Sequence, residues 1–243
     1  MGRRVEKMDI YERFVRDISF PLISLREGLP GIKRHLKQFE ENQYLPLMRL
    51  REIQWEKVRY MLQYAYEHTR YYRSRFDAQG VNPFDIKDPG DMKRIPILTK
   101  NDIRDNLHDL LSSEYEEPML KQSSSGGTTG VWIKLFYSRD SLPIKQAATY
   151  RSEKWTGWDI GQKIGMIWPA LQDYDETQKL RSNIKNALYQ RRVFLPAATL
   201  GEKIMGGYVE RLQREKPKLI KGFAHPVHLI ADFILRNNIA LGF

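Results

Sequence analysis

The residues whose types and spacing suit chemistry lie in one polar run, Lys121-Gln122-Ser123-Ser124-Ser125-Gly126-Gly127-Thr128-Thr129-Gly130, followed by Val131-Trp132-Ile133-Lys134. Glycine reaches positive φ without steric cost, so successive backbone amides can converge on one anion, and serine and threonine hydroxyls add donors to its oxygens. That is phosphate-cradle chemistry. The spacing is not that of a P-loop nucleotidase, which needs four residues between its glycines and a lysine after the second. Gly126 and Gly130 enclose three residues, and Val131 stands where the lysine would be. Taken alone, a Ser/Gly/Thr run also reads as a flexible solvated loop.

Other chemistry has less to rest on. His35, His68, His108, His225 and His228 are the only histidines. His225 and His228 are three apart at the start of an expected helix, but two imidazoles without a nearby carboxylate make a weak metal site, so no metal ligand is assigned. No Gly-x-Ser-x-Gly nucleophile elbow occurs, and no catalytic residue is assigned. The absence of cysteine excludes a disulfide scaffold, a thiolate metal site and a cysteine nucleophile, and suits a reducing compartment.

The elements that must position the polar run are read from periodicity. Residues 1–48 carry breakers at Pro21, Gly28, Pro30, Gly31 and Pro46 and read as short helices joined by turns. From 49 to 77 apolar positions recur at three-to-four spacing, which predicts one amphipathic helix whose tyrosines form core or domain contacts. Thr99 and Asp102 form a capping-box pattern that opens a helix expected over 100–111. The β-prone stretch Trp132–Tyr137 puts the polar run in a strand–loop–strand setting. Beyond it the pattern alternates: a helix from Asp140 or Ser141 toward Trp155, a strand Ile164–Trp168, a helix near 175–190, a strand Arg192–Leu195, a helix near 200–215, a strand Lys218–Lys221 and a helix Pro226–Asn237. Such alternation predicts βαβ units and a mainly parallel sheet. Ile239-Ala240-Leu241-Gly242-Phe243 reads as the next strand or its approach. The expected division is a helical arm over 1–80 and a partial α/β nucleotide-binding domain over 81–243.

The chain has 243 residues and a formal net charge of +10, enough for one large or two small domains of about 100–200 residues each. The excess is spread: 16 basic against 11 acidic residues in 1–80, 8 against 10 in 81–140 and 16 against 9 in 141–243. A nucleic-acid surface would concentrate Lys and Arg with interleaved aromatics. The two densest clusters, Arg70–Arg75 and Lys216–Lys221, read instead as a helix end and a strand entry, so no specific nucleic-acid partner is expected. No stretch approaches the roughly 18 apolar residues of a membrane span. Glu6, Asp9, Glu12 and Asp17 interrupt any signal-peptide core, and a cytoplasmic protein is expected.

The polar run resembles the phosphate loop of adenylate-forming (AMP-binding) enzymes, and in particular the Ser-Gly-Gly-Ser/Thr-Thr-Gly form found in phenylacetate–coenzyme A ligases and CapK-like capsule-biosynthesis proteins. The similarity extends along the chain through Tyr64-Ala65-Tyr66, Tyr71-Tyr72-Arg73, the segment Pro96-Ile97-Leu98-Thr99-Lys100-Asn101-Asp102-Ile103-Arg104, Arg151 with Trp155-Thr156-Gly157-Trp158, and Lys216-Pro217-Lys218 leading to Gly222-Phe223. The resemblance implies joining of a small-molecule carboxylate to AMP from ATP, often followed by transfer to coenzyme A. By the same resemblance, Ser124, Ser125, Thr128 and Thr129 donate hydroxyls to the ATP phosphates with Mg²⁺. Gly126, Gly127 and Gly130 allow the turn, and Lys134 falls where the family has its basic residue. The family's loop proline is replaced by Trp132.

The family's later motifs, an aromatic-Gly-x-Ser/Thr-Glu segment for adenine and magnesium, a ribose-binding aspartate and a catalytic lysine on a mobile domain, do not occur in this sequence. The expectation is therefore the N-terminal part of such a ligase, truncated and not active alone, whose partner would be a separately encoded C-terminal half. The alternatives are a non-catalytic nucleotide- or partner-binding module or remnant, or a protein associated with capsular polysaccharide biosynthesis.

Overall fold

The computed structural model describes residues 8–124, 133–168 and 183–242. In chain order the elements used below are α1 (Ile10–Phe14), α2 (Phe20–Arg26), α3 (Ile32–Asn42), α4 (Leu47–His68), α5 (Arg70–Ala78), α6 (Lys100–Asp105), β1 (Leu120–Ser124), β2 (Lys134–Ser138), α7 (Ser141–Lys154), β3 (Ile164–Trp168), β4 (Arg192–Pro196), α8 (Glu202–Glu215), β5 (Leu219–Gly222) and α9 (Ala224–Arg236). They fall into two units, residues 1–36 with 146–243, and residues 37–145.

In the first unit the expected alternation is realised as a wholly parallel sheet, order β4-β3-β5. The central strand is buried on both faces, which is why Ile164–Trp168 reads as a continuous apolar run. Ile167, Val193, Leu195, Val209, Leu212 and Ile230 form the core, joining β3 and β4 to one face each of α8 and α9. Lys216 closes α8 in the left-handed conformation (φ 46°) and donates its amide to Leu212 O at 2.8 Å. Pro217 then prevents the helix from continuing, and Lys163 Nζ ties the helix end to β3 by hydrogen bonds to Glu215 O (3.1 Å) and Oε2 (3.0 Å). Residues 239–242 carry no strand; Ile239 and Leu241 pack against the core instead.

One expected breaker does not break. Pro21 sits inside a helix that runs through α1, the π-helical segment Val15–Ser19 and α2. Proline lacks an N–H and crowds the carbonyl four residues back; the wider π turn just before it shifts the hydrogen-bond ladder and relieves both. Asp9 opens this helix with a capping box to Glu12. Its inner face, Val15, Ser19, Phe20 and Ser24, is buried, with Phe20 stacked on Tyr189 at 5.3 Å and edge-on to Tyr150 at 5.6 Å.

In the second unit the single helix expected over 49–77 is two, α4 and α5, broken at Thr69 (φ −129°, ψ 131°). Distant backbone takes over the break: Ser113 N donates to His68 O at 2.7 Å and Tyr71 N to Asp109 O at 3.0 Å. Arg73 caps the freed carbonyls of Tyr66 and Glu67. α4 contributes no fully buried residue, and the buried aromatics, Tyr71 and Phe76, come from α5. Helix α6 opens at the expected capping box, with Asp102 N donating to Thr99 Oγ1 (3.2 Å) and Thr99 N to Asp102 Oδ2 (2.8 Å). It stops at Asp105 because Asn106 Nδ2 competes for Asp102 O and its own backbone leaves the helical region. Among the described residues no helix is long and apolar enough to cross a membrane.

Leu212 is completely buried, so Leu212→Ala should lower stability by about 3 kcal/mol in urea unfolding followed by circular dichroism. The Thr99 hydroxyl and amide hold the Asp102 carboxyl below its ordinary range. The stability it contributes is complete above the unfolded-chain pKa and is lost as pH falls through the lower folded value. Asp102→Asn should therefore flatten the acid limb of a melting-temperature profile and leave its alkaline limb unchanged.

Candidate functional site

The polar run connects the two strands of an antiparallel hairpin. β1 pairs with β2 in the register Leu120↔Ser138, Gln122↔Phe136 and Ser124↔Lys134, with Lys121↔Tyr137 and Ser123↔Leu135 between. Directly opposed residues share a face with Cβ atoms about 5 Å apart. Ser124 and Lys134, at either end of the expected phosphate loop, thus face each other at its mouth. Both are exposed, and the buried Ile133 immediately before Lys134 anchors the return strand. The ammonium of Lys145 lies over the Tyr137 ring at 4.3 Å, and Ser141 Oγ donates to Ser138 O at 2.8 Å, fixing the exit into α7. The other expected site residues, Ser125, Gly126, Gly127, Thr128, Thr129 and Gly130, lie outside the described residues.

The parallel-sheet unit holds a second candidate site. A cleft of about 680 Å³ opens beside β5, between Leu219–Gly222, the start of α9 and the α7 residues Thr149, Ser152 and Glu153. Gly222 shapes it. A Cβ there would lie 2.5 Å from Ile167 O and 2.9 Å from Val227, so only glycine lets β5 approach β3 while α9 turns directly off the strand. Phe223 packs on Trp168 with ring centroids 4.5 Å apart, closing the carboxyl ends of β3 and β5. Crevices at the carboxyl ends of parallel strands are where open α/β sheets bind ligands. His225 and His228 are exposed on the first turns of α9, and among the described residues no group of three or more His, Cys, Asp or Glu could hold a metal ion.

One ion pair crosses the cleft. Lys221 Nζ lies 2.7 Å from Glu153 Oε1, and the Glu153 side chain is only 11% exposed. Its Oε2 is buried with no hydrogen-bond partner, as is Nε of Arg151, whose guanidinium covers the Trp155 ring at 4.5 Å. Behind the pair lies a chamber of about 110 Å³ that shares Thr149, Glu153 and Lys221 with the cleft and is lined further by Phe20, Tyr150, Trp158 and Tyr189. Burial pushes the Tyr150 hydroxyl well above its ordinary range and raises that of Tyr189, so both stay protonated donors at neutral pH. The sequence reading missed Glu153 and Lys221, which are separated by 68 positions along the chain. The one available signal was a lysine inside an otherwise apolar strand.

No protein-family model matches the chain. It is 30% identical over 119 residues to phenylacetate-coenzyme A ligase of Aromatoleum evansii and 32% identical over 119 residues to that of Escherichia coli (strain K12). These stretches are 49% of this chain and 27% of each enzyme. Protein CapK of Staphylococcus aureus is 21% identical over 214 residues, 85% of this chain and 46% of CapK. A crystal structure of 2-hydroxyisobutyryl-CoA ligase in complex with 2-HIB-AMP and CoA superposes with a TM-score of 0.59 at 18% identity, covering 80% of this chain and 41% of that one. The chain therefore spans less than half the length of these relatives. Over that part the resemblance to adenylate-forming enzymes of the phenylacetate–coenzyme A ligase and CapK kind holds, and the α/β fold is that of part of such a ligase.

Lys221→Met strands a mostly buried carboxylate and should cost about 2 kcal/mol. The double variant with Glu153→Gln should recover most of it, and a double-mutant cycle by urea unfolding measures the coupling.

Proposed function

We propose that this chain supplies the phosphate-binding and part of the substrate-binding surface of an ATP-dependent ligase that activates a small-molecule carboxylate as its acyl-adenylate. The observation that carries the reading is the Ser124–Lys134 pairing at the mouth of the glycine-rich loop. A hydroxyl donor and an ammonium on one face suit phosphate oxygens. Ser125, Thr128 and Thr129 would add hydroxyl donors, and Gly126, Gly127 and Gly130 would let backbone amides turn inward. ATP would supply the adenylyl group and pyrophosphate as leaving group; the loop's part is positioning and stabilisation of charge as it develops. By the resemblance, Mg²⁺ would accompany the ATP phosphates at this loop, bound through oxygen ligands. The β5 cleft, apolar along the strand with the Glu153–Lys221 pair at its floor, suits the carboxylate substrate, and coenzyme A would be the acceptor in a second half-reaction.

By the same resemblance, turnover would also draw on adenine-, ribose- and lysine-bearing parts, proposed to come from a complementing polypeptide, and the proposed setting is cytoplasmic. A non-catalytic nucleotide-binding module, including one serving capsular polysaccharide biosynthesis, is the alternative, supported by the similarity to CapK over 214 residues.

Calorimetric titration with ATP tests the site. Binding should weaken about tenfold or more in the Thr128→Ala/Thr129→Ala variant and in Lys134→Met, as expected for lost hydrogen bonds to a charged group. Equal affinity in all three proteins overturns the assignment, and steeply salt-dependent DNA binding indifferent to these changes replaces it. ATP–pyrophosphate exchange with a panel of carboxylates should show no turnover by the chain alone; turnover would overturn the need for a complement.

A further inference from the structure

The helix running through α1, Val15–Ser19 and α2 has two apolar faces. One is buried on Tyr189 and Tyr150, as described above. The other is open: Ile10, Phe14, Ile18, Leu22 and Leu25 are 88%, 40%, 52%, 67% and 65% exposed. The π turn aligns them. In an uninterrupted α-helix residues four apart drift by about 40° per step, which would wind such a set around the helix. The π segment takes up about one extra residue per turn, so Phe14, Ile18 and Leu22 fall nearly in line and Ile10 and Leu25 continue the row.

We infer that this stripe is a self-association surface, on which a second copy of the chain lays the same helix antiparallel about a two-fold axis at Ile18. The stripe is self-complementary about that residue. Phe14 and Leu22 stand four positions to either side, and Ile10 and Leu25 eight and seven, so Ile18 meets its counterpart, Phe14 meets Leu22, and Ile10 meets Leu25. An isologous interface requires this reciprocity. The area is sufficient. At about 150–200 Å² for a large apolar side chain, the exposures above leave about 500 Å² per copy, near the top of what a monomer exposes. Full coverage of the stripe on both copies buries about 1,000 Å², which reaches the threshold for a specific interface.

A membrane surface is the competing occupant of an apolar stripe. The charges along this helix, Asp9, Glu12, Asp17 and Glu27 against Arg13, Arg16 and Arg26, lack the basic excess that draws a helix to anionic lipid. Asp17 is itself held by Arg16 at 2.9 Å.

Sedimentation equilibrium of the full chain at micromolar concentration tests the inference. The wild type should be dimeric, and Ile18→Glu, which places two carboxylates face to face, should weaken the dimer at least about a hundredfold. Its circular dichroism and melting temperature should be those of the wild-type monomer, because Ile18 makes no part of the core. The absence of cysteine makes the geometry readable. Ile18→Cys should cross-link through one disulfide on mild oxidation. Leu22→Cys alone should not, since its two copies would lie about 12 Å apart along the helices, while Phe14→Cys mixed with Leu22→Cys should cross-link. A monomeric wild type, a dimer indifferent to Ile18→Glu, or equal cross-linking at 18 and 22 overturns the antiparallel pair. Sedimentation of the monomer with phosphatidylserine vesicles, abolished by Ile18→Glu, would assign the stripe to a membrane surface instead.

Discussion

The parallel-sheet unit depends on how closely backbone can approach backbone at two glycines. At Gly222 the approach is strand against strand and helix: β5 lies on β3 with Ile167 O where any Cβ would be, and α9 turns off without a connecting loop. At Gly161 (φ 98°) it is helix against turn, since a Cβ would stand 2.2 Å from Glu12 O of α1. The first contact sets the position of α9 and so the wall of the cleft. The second lets the helix that begins at Ile10 pack against residues of the 146–243 segment within the same unit. A side chain at either place forces separation of elements whose burial supplies the core, so packing density and site shape share one cause.

The cleft is chemically unusual because it combines that tight frame with an incompletely compensated charge. Glu153 is mostly buried, with one oxygen on Lys221 and the other without a partner. A carboxylate in that state is costly to keep, and the chamber behind it is lined by two tyrosines that burial holds protonated. The chain retains it where the cleft and the inner chamber join, the place at which a ligand's polar group would have to pass.

Much of the fold was legible from periodicity. Strand Ile164–Trp168 has the limits read from its apolar run, because a central parallel strand buried on both faces leaves a strong local signature, and β4, β5, α8 and α9 agree with expectation within one or two residues. The capping box at Thr99 was legible for the same reason, as four residues contain the whole interaction. Expectation failed where distant backbone decided the outcome. The break at Thr69 exists because the segment 109–113 supplies partners for His68 and Tyr71, and Pro21 is tolerated because a π turn precedes it.

Of the candidate site, residue types alone determined that a glycine- and hydroxyl-rich run suited to phosphate sits between two strands, and the ordered landmarks along the chain determined the kind of ligase it resembles. Tertiary structure decided the rest. The hairpin register put Ser124 opposite Lys134, β5 and α7 together made the cleft, and a π turn gathered five apolar side chains into one exposed row. The physical reason is range. Propensity, capping and turn chemistry act over a few residues and are written locally, whereas register, a charge pair 68 residues apart and the phase of a helix face exist only once the chain has packed.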